Sequence, residues 1–322
     1  MFKALRLVVA SVVVLFLTAV SALAQGGVSN STKNPLQIAT LHWYKANQTA
    51  SFAVGTYPQG VAFDGANIWV TNFQGDTVTK LRANDGAVLG TFPVGLNPLG
   101  AAFDGANIWV TNQASSGTVT KLRASDGTVL GTFPVGPFPQ SVAFDGADIW
   151  VTNSNSSTVT KLRASDGTLL GTFPVGLQPR GVAFDGTNIW VANSNSNNVT
   201  KLRASDGAVL GTFGVGALPD DVAFDGANIW VTNESSNDVT KLRASDGAVL
   251  GTFHSGGTQP QRVAFDGANI WVTNFFNNVT KLRASDGAML GTFPVGANPV
   301  GVAFDGANIW VTNANSSSVS KL

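Results

Sequence analysis

The sequence predicts an all-β fold, a seven-bladed β-propeller of four-stranded antiparallel blades whose ring is closed by the N-terminal strand. A phrase close to "FDGANIWVTN" occurs seven times, starting at Phe63, Phe103, Phe144, Phe184, Phe224, Phe265 and Phe304. The units that contain it begin at Val61, Ala101, Val142, Val182, Val222, Val263 and Val302, a period of 39 to 41 residues. Each unit holds four short runs rich in Val, Ile, Thr, Phe and Trp, and nothing in it has helical periodicity. A period near 40 with four strands per period is the signature of propeller blades, each burying both faces against its neighbours.

Within a unit the strands read in order "GVAF", "NIWVTN", "TVTKLRAS" and "VLGTFPVG". Asp-Gly stands between the first and second strands and between the third and fourth, where Gly accepts the positive φ of a tight turn. The seven Trp (69, 109, 150, 190, 230, 271 and 310) read as inter-blade core, with base or sugar stacking as the competing role. The last unit stops after its third strand, at Leu322, while "SFAVGTYPQG" (Ser51 to Gly60) matches the outer strand of the other units. The N-terminal segment therefore supplies the missing strand. "IATLHW" (Ile38 to Trp43) also matches a third strand, so it competes with "SVSKL" for one slot in the closing blade.

The first residues read as an address. Lys3 and Arg6 precede an apolar run from Leu7 to Val20, and "SALAQ" (Ser21 to Gln25) offers a signal-peptidase site with cleavage after Ala24. The expected organisation is a signal peptide over 1–24, a linker over 25–36 and the propeller over 37–322, in a periplasmic or extracellular monomer. After cleavage no segment is long and apolar enough to cross a bilayer.

Composition excludes several chemistries. There is no Cys, hence no disulfide, thiolate nucleophile or thiolate metal site. Seventeen basic residues follow the signal against 19 acidic ones, too even a balance for nucleic acid or an anionic membrane as partner. Thirteen of the acidic residues are the Asp of an Asp-Gly turn, and 12 of the basic ones belong to "KLR". These serve the architecture, and the turns lack the further carboxylates of a calcium loop.

"IWVTN" followed by "TVTKLRASDG" and "GTFPVG" resembles the YVTN-type propeller repeat, and from Ile38 to Leu322 the chain is similar more broadly to bacterial propellers of the streptogramin-lyase-like (virginiamycin B lyase-like) kind. That resemblance implies a catalytic His after the inter-blade Pro, a Glu at the end of the second strand and a divalent cation. At the first position this chain has Gln, Leu, Arg, Asp or Val, and at the second it has Asn: 72, 112, 153, 193, 233, 274 and 313. Its two His, His42 and His254, occupy non-equivalent positions. Quinone-dependent dehydrogenase propellers have repeats loosely like "KLRASDGAVLGTF", but this chain lacks their paired Cys. No catalytic residue and no cofactor is expected, and the metal question stays open.

In an up-and-down meander the two Asp-Gly turns of every blade share one face, and the remaining loops share the other. Those remaining loops are where the repeat varies. The residue after each inter-blade Pro gives a ring of Gln59, Leu99, Gln140, Arg180, Asp220, Gln261 and Val300. Uncommon charges gather at the fifth unit: Asp220, Asp221, Glu234 and Asp238, with Arg180 and Arg262 in the units beside it. They read either as inter-blade ion pairs or as a ligand site for a cationic or hydrogen-bonding molecule, to which Phe73, Phe138, Phe275 and Phe276 could add apolar contact. The expected function is a non-catalytic binding module for a small molecule, glycan or protein. A lyase or hydrolase and a structural surface protein are the alternatives.

Overall fold

A computed structural model describes residues 49–322. The expected signal peptide, the linker, His42 and the competing strand Ile38 to Trp43 lie outside the described residues. Seven four-stranded antiparallel sheets form the propeller. Their innermost strands, Pro58–Phe63, Pro98–Phe103, Pro139–Phe144, Pro179–Phe184, Pro219–Phe224, Pro260–Phe265 and Pro299–Phe304, define blades one to seven. Blade seven has Ser318–Lys321 as its third strand and Ala50–Ala53 as its outer one, with Phe52 opposite Val319. No helix among the described residues is long and apolar enough to cross a membrane.

The repeated phrase works as a unit. In blade one the Asp64 carboxylate accepts the backbone N–H groups of Ala66 and Asn67, closing the turn that Gly65 completes at φ 95°. Its other oxygen accepts the Trp69 indole N–H at 2.8 Å. A buried Trp thereby satisfies its one polar atom, which lets the large ring sit in the core at no polar cost. Burial alone would push the Asp64 carboxyl up, but hydrogen bonds from Trp69, Asn67 and the backbone more than offset it and leave it below the usual range.

Each Trp packs against the next blade, as Trp69 does against Ile108, Val110 and Leu122. The Lys of "KLR" lies over the same ring, Lys80 Nζ standing 5.1 Å from the Trp69 centroid. Lys80 then donates to the carbonyls of Ala124 and Ser125 in the following blade. The seam between blades six and seven differs: among the described residues Lys281 makes no such hydrogen bond, and Trp271 is 7% exposed where the other six are 0%.

Outer strands are unpaired edges, which carry an aggregation hazard. Each of the six in blades one to six is bulged, as where Lys80 pairs Gly90 and Leu81 pairs Val88 with Leu89 left over. A bulge bends the strand and spoils it as a template for another chain.

A second bulge shapes the channel. In blade one Pro58 pairs Asn72 and Val61 pairs Val70, so Gln59 and Gly60 together face Thr71 alone. Thr71 Oγ1 accepts the Gly60 N–H at 2.7 Å and donates to the Leu99 carbonyl of the next blade at 2.7 Å. Six blade junctions carry this threonine clasp. At the junction of blades four and five Ala192 stands in its place.

The residue before each inter-blade Pro is left-handed although none is Gly: Tyr57, Asn97, Phe138, Gln178, Leu218, Gln259 and Asn298 have φ between 51° and 55°. Asn tolerates this region and Leu does not. Leu218→Asn, copying Asn97 and Asn298, is expected to stabilise the protein by about 0.5–1 kcal/mol. Chemical denaturation of the two proteins side by side would check it.

Candidate functional site

The bulge of each inner strand turns its ring residue toward the axis on the variable face. There a cavity of about 320 Å³ opens, bounded by Gln59, Leu99, Gln140, Arg180, Asp220, Gln261 and Val300 together with loop residues. Its wall is divided. Tyr57, Phe73, Leu99, Val300 and Phe275 make an apolar arc, with Tyr57 and Phe73 rings 6.0 Å apart. Arg180, Asp220, Glu234 and Arg262 make a charged arc, and Gln113, Gln140, Gln261 and Asn298 add carboxamides.

The charged arc is a relay across three blades. Arg180 of blade four donates to Asp220 Oδ1 at 2.6 Å and to Glu234 Oε2 at 3.0 Å, both from blade five. This pair stands at the junction that lacks the threonine clasp. Burial lowers the tendency of Arg180 to hold its proton, but Asp220 and Glu234 more than offset this and raise it above the ordinary guanidinium range. Arg262 of blade six is held loosely, its Nη1 lying 3.4 Å from Asp220 Oδ2 and 3.9 Å from Asp221 Oδ1.

Asp221 occupies a position that is Gly60, Gly100, Gly181 and Gly301 in other blades. Ser141 and Arg262 hold it in the other two, but in blade one bare backbone is needed, because a Cβ on Gly60 would clash with the Leu99 carbonyl oxygen. Asp221 fits because it leans toward Gly181, whose own Cβ would fall 2.5 Å from Asp221 Oδ1. Its Oδ2 accepts the Val263 N–H at 3.1 Å. Burial pushes the Asp221 carboxyl up to about 6, against the pull of Arg262 and that N–H.

Five of the six charged candidates thus meet: Arg180, Asp220, Asp221, Glu234 and Arg262. Asp238 does not. It begins a third strand at the place of Thr77 in blade one, and its Oδ1 accepts the Asn233 side-chain N–H at 2.6 Å. Each of the three carboxylates lies against one of the two arginines. Among the described residues no group of three or more His, Cys, Asp or Glu is arranged to hold a metal ion. Of the four Phe candidates, Phe73 and Phe275 line the cavity, and Phe276 is 62% exposed.

The positions that resemblance marks as catalytic are differently employed. Asn72 and its equivalents are buried, and Asn72 Nδ2 donates to Thr77 and Thr79. His254 ends an outer strand, exposed, with Nδ1 accepting the Gly256 N–H at 2.9 Å. Tyr57, Gln113 and Asn298 were not distinguishable from loop residues by charge or motif. Their signal was positional, since Tyr57 and Asn298 precede an inter-blade Pro and Gln113 begins the loop after a second strand.

No protein-family model matches the chain, and no curated protein sequence matches it. Solved structures do. Hydrazine synthase of Kuenenia stuttgartiensis aligns at TM-score 0.71 and 19% identity over 84% of this chain and 97% of that one. A streptogramin B lyase aligns at TM-score 0.73 and 17% identity, over 85% of this chain and 96% of the other. Virginiamycin B lyase of Staphylococcus aureus gives TM-score 0.73 and 17% identity, over 85% and 98%. At these identities the likeness is one of fold: the chain is a seven-bladed propeller of the shape these lyases have.

Proposed function

We propose that the protein is a non-catalytic binding module, and that its ligand sits in the channel mouth on the variable face. The observation that supports this most is the divided wall of the 320 Å³ cavity. An apolar arc faces hydrogen-bonding groups across a space near the lower end for small-molecule sites, about 300 Å³. The ring around it is made rigid by repeated Trp, Lys and Asp contacts, while the residues that line the mouth are where the repeat varies. The apolar run from Leu7 to Val20 before "SALAQ" supports export, so the ligand would be met outside the cytoplasm.

A thermal-shift screen of small molecules and oligosaccharides tests the binding reading, with Tyr57→Ala and Gln113→Ala as rim variants. Compounds are expected to raise the melting temperature of the parent and to lose that effect in the variants. Equal stabilisation of parent and variants would place the site elsewhere. Turnover of a stabilising compound, read by mass spectrometry, would make the protein an enzyme.

A further inference from the structure

Below the mouth the channel continues into a second, narrower cavity of about 100 Å³, which shares Gln59, Leu99, Arg262 and Val300 with the first. Its wall steps one residue further along the inner strands, to Gly60, Gly100, Ser141, Asp221 and Gly301. Arg262 stands at the throat between the two. A guanidinium carries five N–H donors in a planar fork, yet every acceptor near Arg262 meets the single atom Nη1, and none comes closer than 3.4 Å. Arg180, two blades away, is held more tightly through the same atom, its Nη1 meeting Asp220 at 2.6 Å and Glu234 at 3.0 Å. A half-buried arginine with unused donors lines a cavity that it shares with the apolar side chains of Leu99 and Val300.

On the reading that the mouth is a binding site, we propose that the two cavities together hold an amphipathic monocarboxylic acid, its apolar body against Phe73, Leu99 and Val300 and its carboxylate on the fork of Arg262. Planar bidentate acceptors are what that fork matches best. Charge then dictates a second property. The described groups around the throat are Arg180 and Arg262 against Asp220, Asp221 and Glu234, a sum of one negative charge. Adding a carboxylate to so enclosed a place without compensation is costly. Asp221, whose buried carboxyl already titrates at about 6, takes up the compensating proton, so one proton is bound with each ligand.

The sign follows. Below about pH 6 Asp221 is already protonated in the free protein and affinity is flat until the ligand's own carboxylate is protonated, at about pH 4; above about pH 6 affinity falls as the Asp221 proton must be supplied. Calorimetry with straight-chain and ω-phenyl alkanoic acids, and with their carboxamides, tests the proposal. The acids should bind about tenfold tighter than the amides at pH 6 and weaken about tenfold per pH unit above it. Heats in buffers of different ionisation enthalpy should report uptake of a proton. Arg262→Gln should remove the preference for acid over amide, and Arg262→Lys, which keeps the charge but not the fork, should recover it only in part. Asp221→Asn should flatten the pH profile.

Equal binding of acids and amides, or an acid preference that survives Arg262→Gln, overturns the carboxylate assignment while leaving the mouth as a binding site. Failure of every acid in the series to bind does the same if other compounds stabilise the parent through Tyr57 and Gln113. If none does, the binding reading itself falls.

Discussion

Trp150→Ala should destabilise the protein by about 3–5 kcal/mol, the range for emptying a large buried aromatic site. Trp150 is 0% exposed and packs against Val182, Ile189 and Val191 of the next blade. Its ring lies 5.5 Å from that of Phe173, and Lys161 Nζ stands 5.1 Å above it. Truncation removes these contacts together and also leaves Asp145 Oδ2 without the indole N–H that it accepts at 2.7 Å. The chain supplies its own control in Trp271, slightly exposed in a smaller cluster beside the seam. Trp271→Ala should cost measurably less. Equal losses at the two sites by chemical denaturation would mean that the seam is packed as tightly as the other junctions.

Asp220→Ala is expected to cost about 3 kcal/mol, the lower end for removing one partner of a buried pair, because Arg180 keeps Glu234. The Asp220 side chain is 9% exposed and lies between two guanidiniums, 2.6 Å from Arg180 and 3.4 Å from Arg262. Its loss leaves both arginines facing each other across the channel with less to neutralise them. Replacing Arg180 by Met in the same protein should recover part of the loss, a coupling that a double-mutant cycle reads directly. Asp85→Ala supplies the contrast. Its partner Arg82 is 2.9 Å away, but both side chains are about half exposed, so the ion pair adds little and the loss should be confined to the exposed turn bond from Ala87 N–H, far smaller than at Asp220.

Most of the fold could be read in the residues because repetition exposes what every blade needs. The seven Trp, the Asp-Gly turns and the match of Ser51 to Gly60 with an outer strand all correspond to elements of the ring. The site was legible only where the repeat breaks into charge. Arg180, Asp220, Asp221, Glu234 and Arg262 are outliers of composition, and three-dimensional closure brings them together. Asp238 was an outlier of the same kind and went elsewhere, because side chains alternate along a strand and its position belongs to the Asn233 contact. The apolar arc was legible in part: Leu99 and Val300 by their place after an inter-blade Pro, Phe73 and Phe275 as loop aromatics, whereas Tyr57, a residue before a Pro, gave no such signal.

The strand Ala50–Ala53 pairs with Ser318–Lys321, the first described strand with the last. In kinetic language, this contact closes a loop of more than 260 residues, one of the costliest closures in the ring, and it cannot form until Ser318–Lys321 has been synthesised. Until then the blade sequences are almost interchangeable, a setting in which strands dock on the wrong neighbour or on another molecule. The relay of Arg180, Asp220 and Arg262 offers a means of proofreading. Only when blades four, five and six lie in that order does each charge find its opposite, so a ring assembled out of sequence would bury an unpaired carboxylate and reopen.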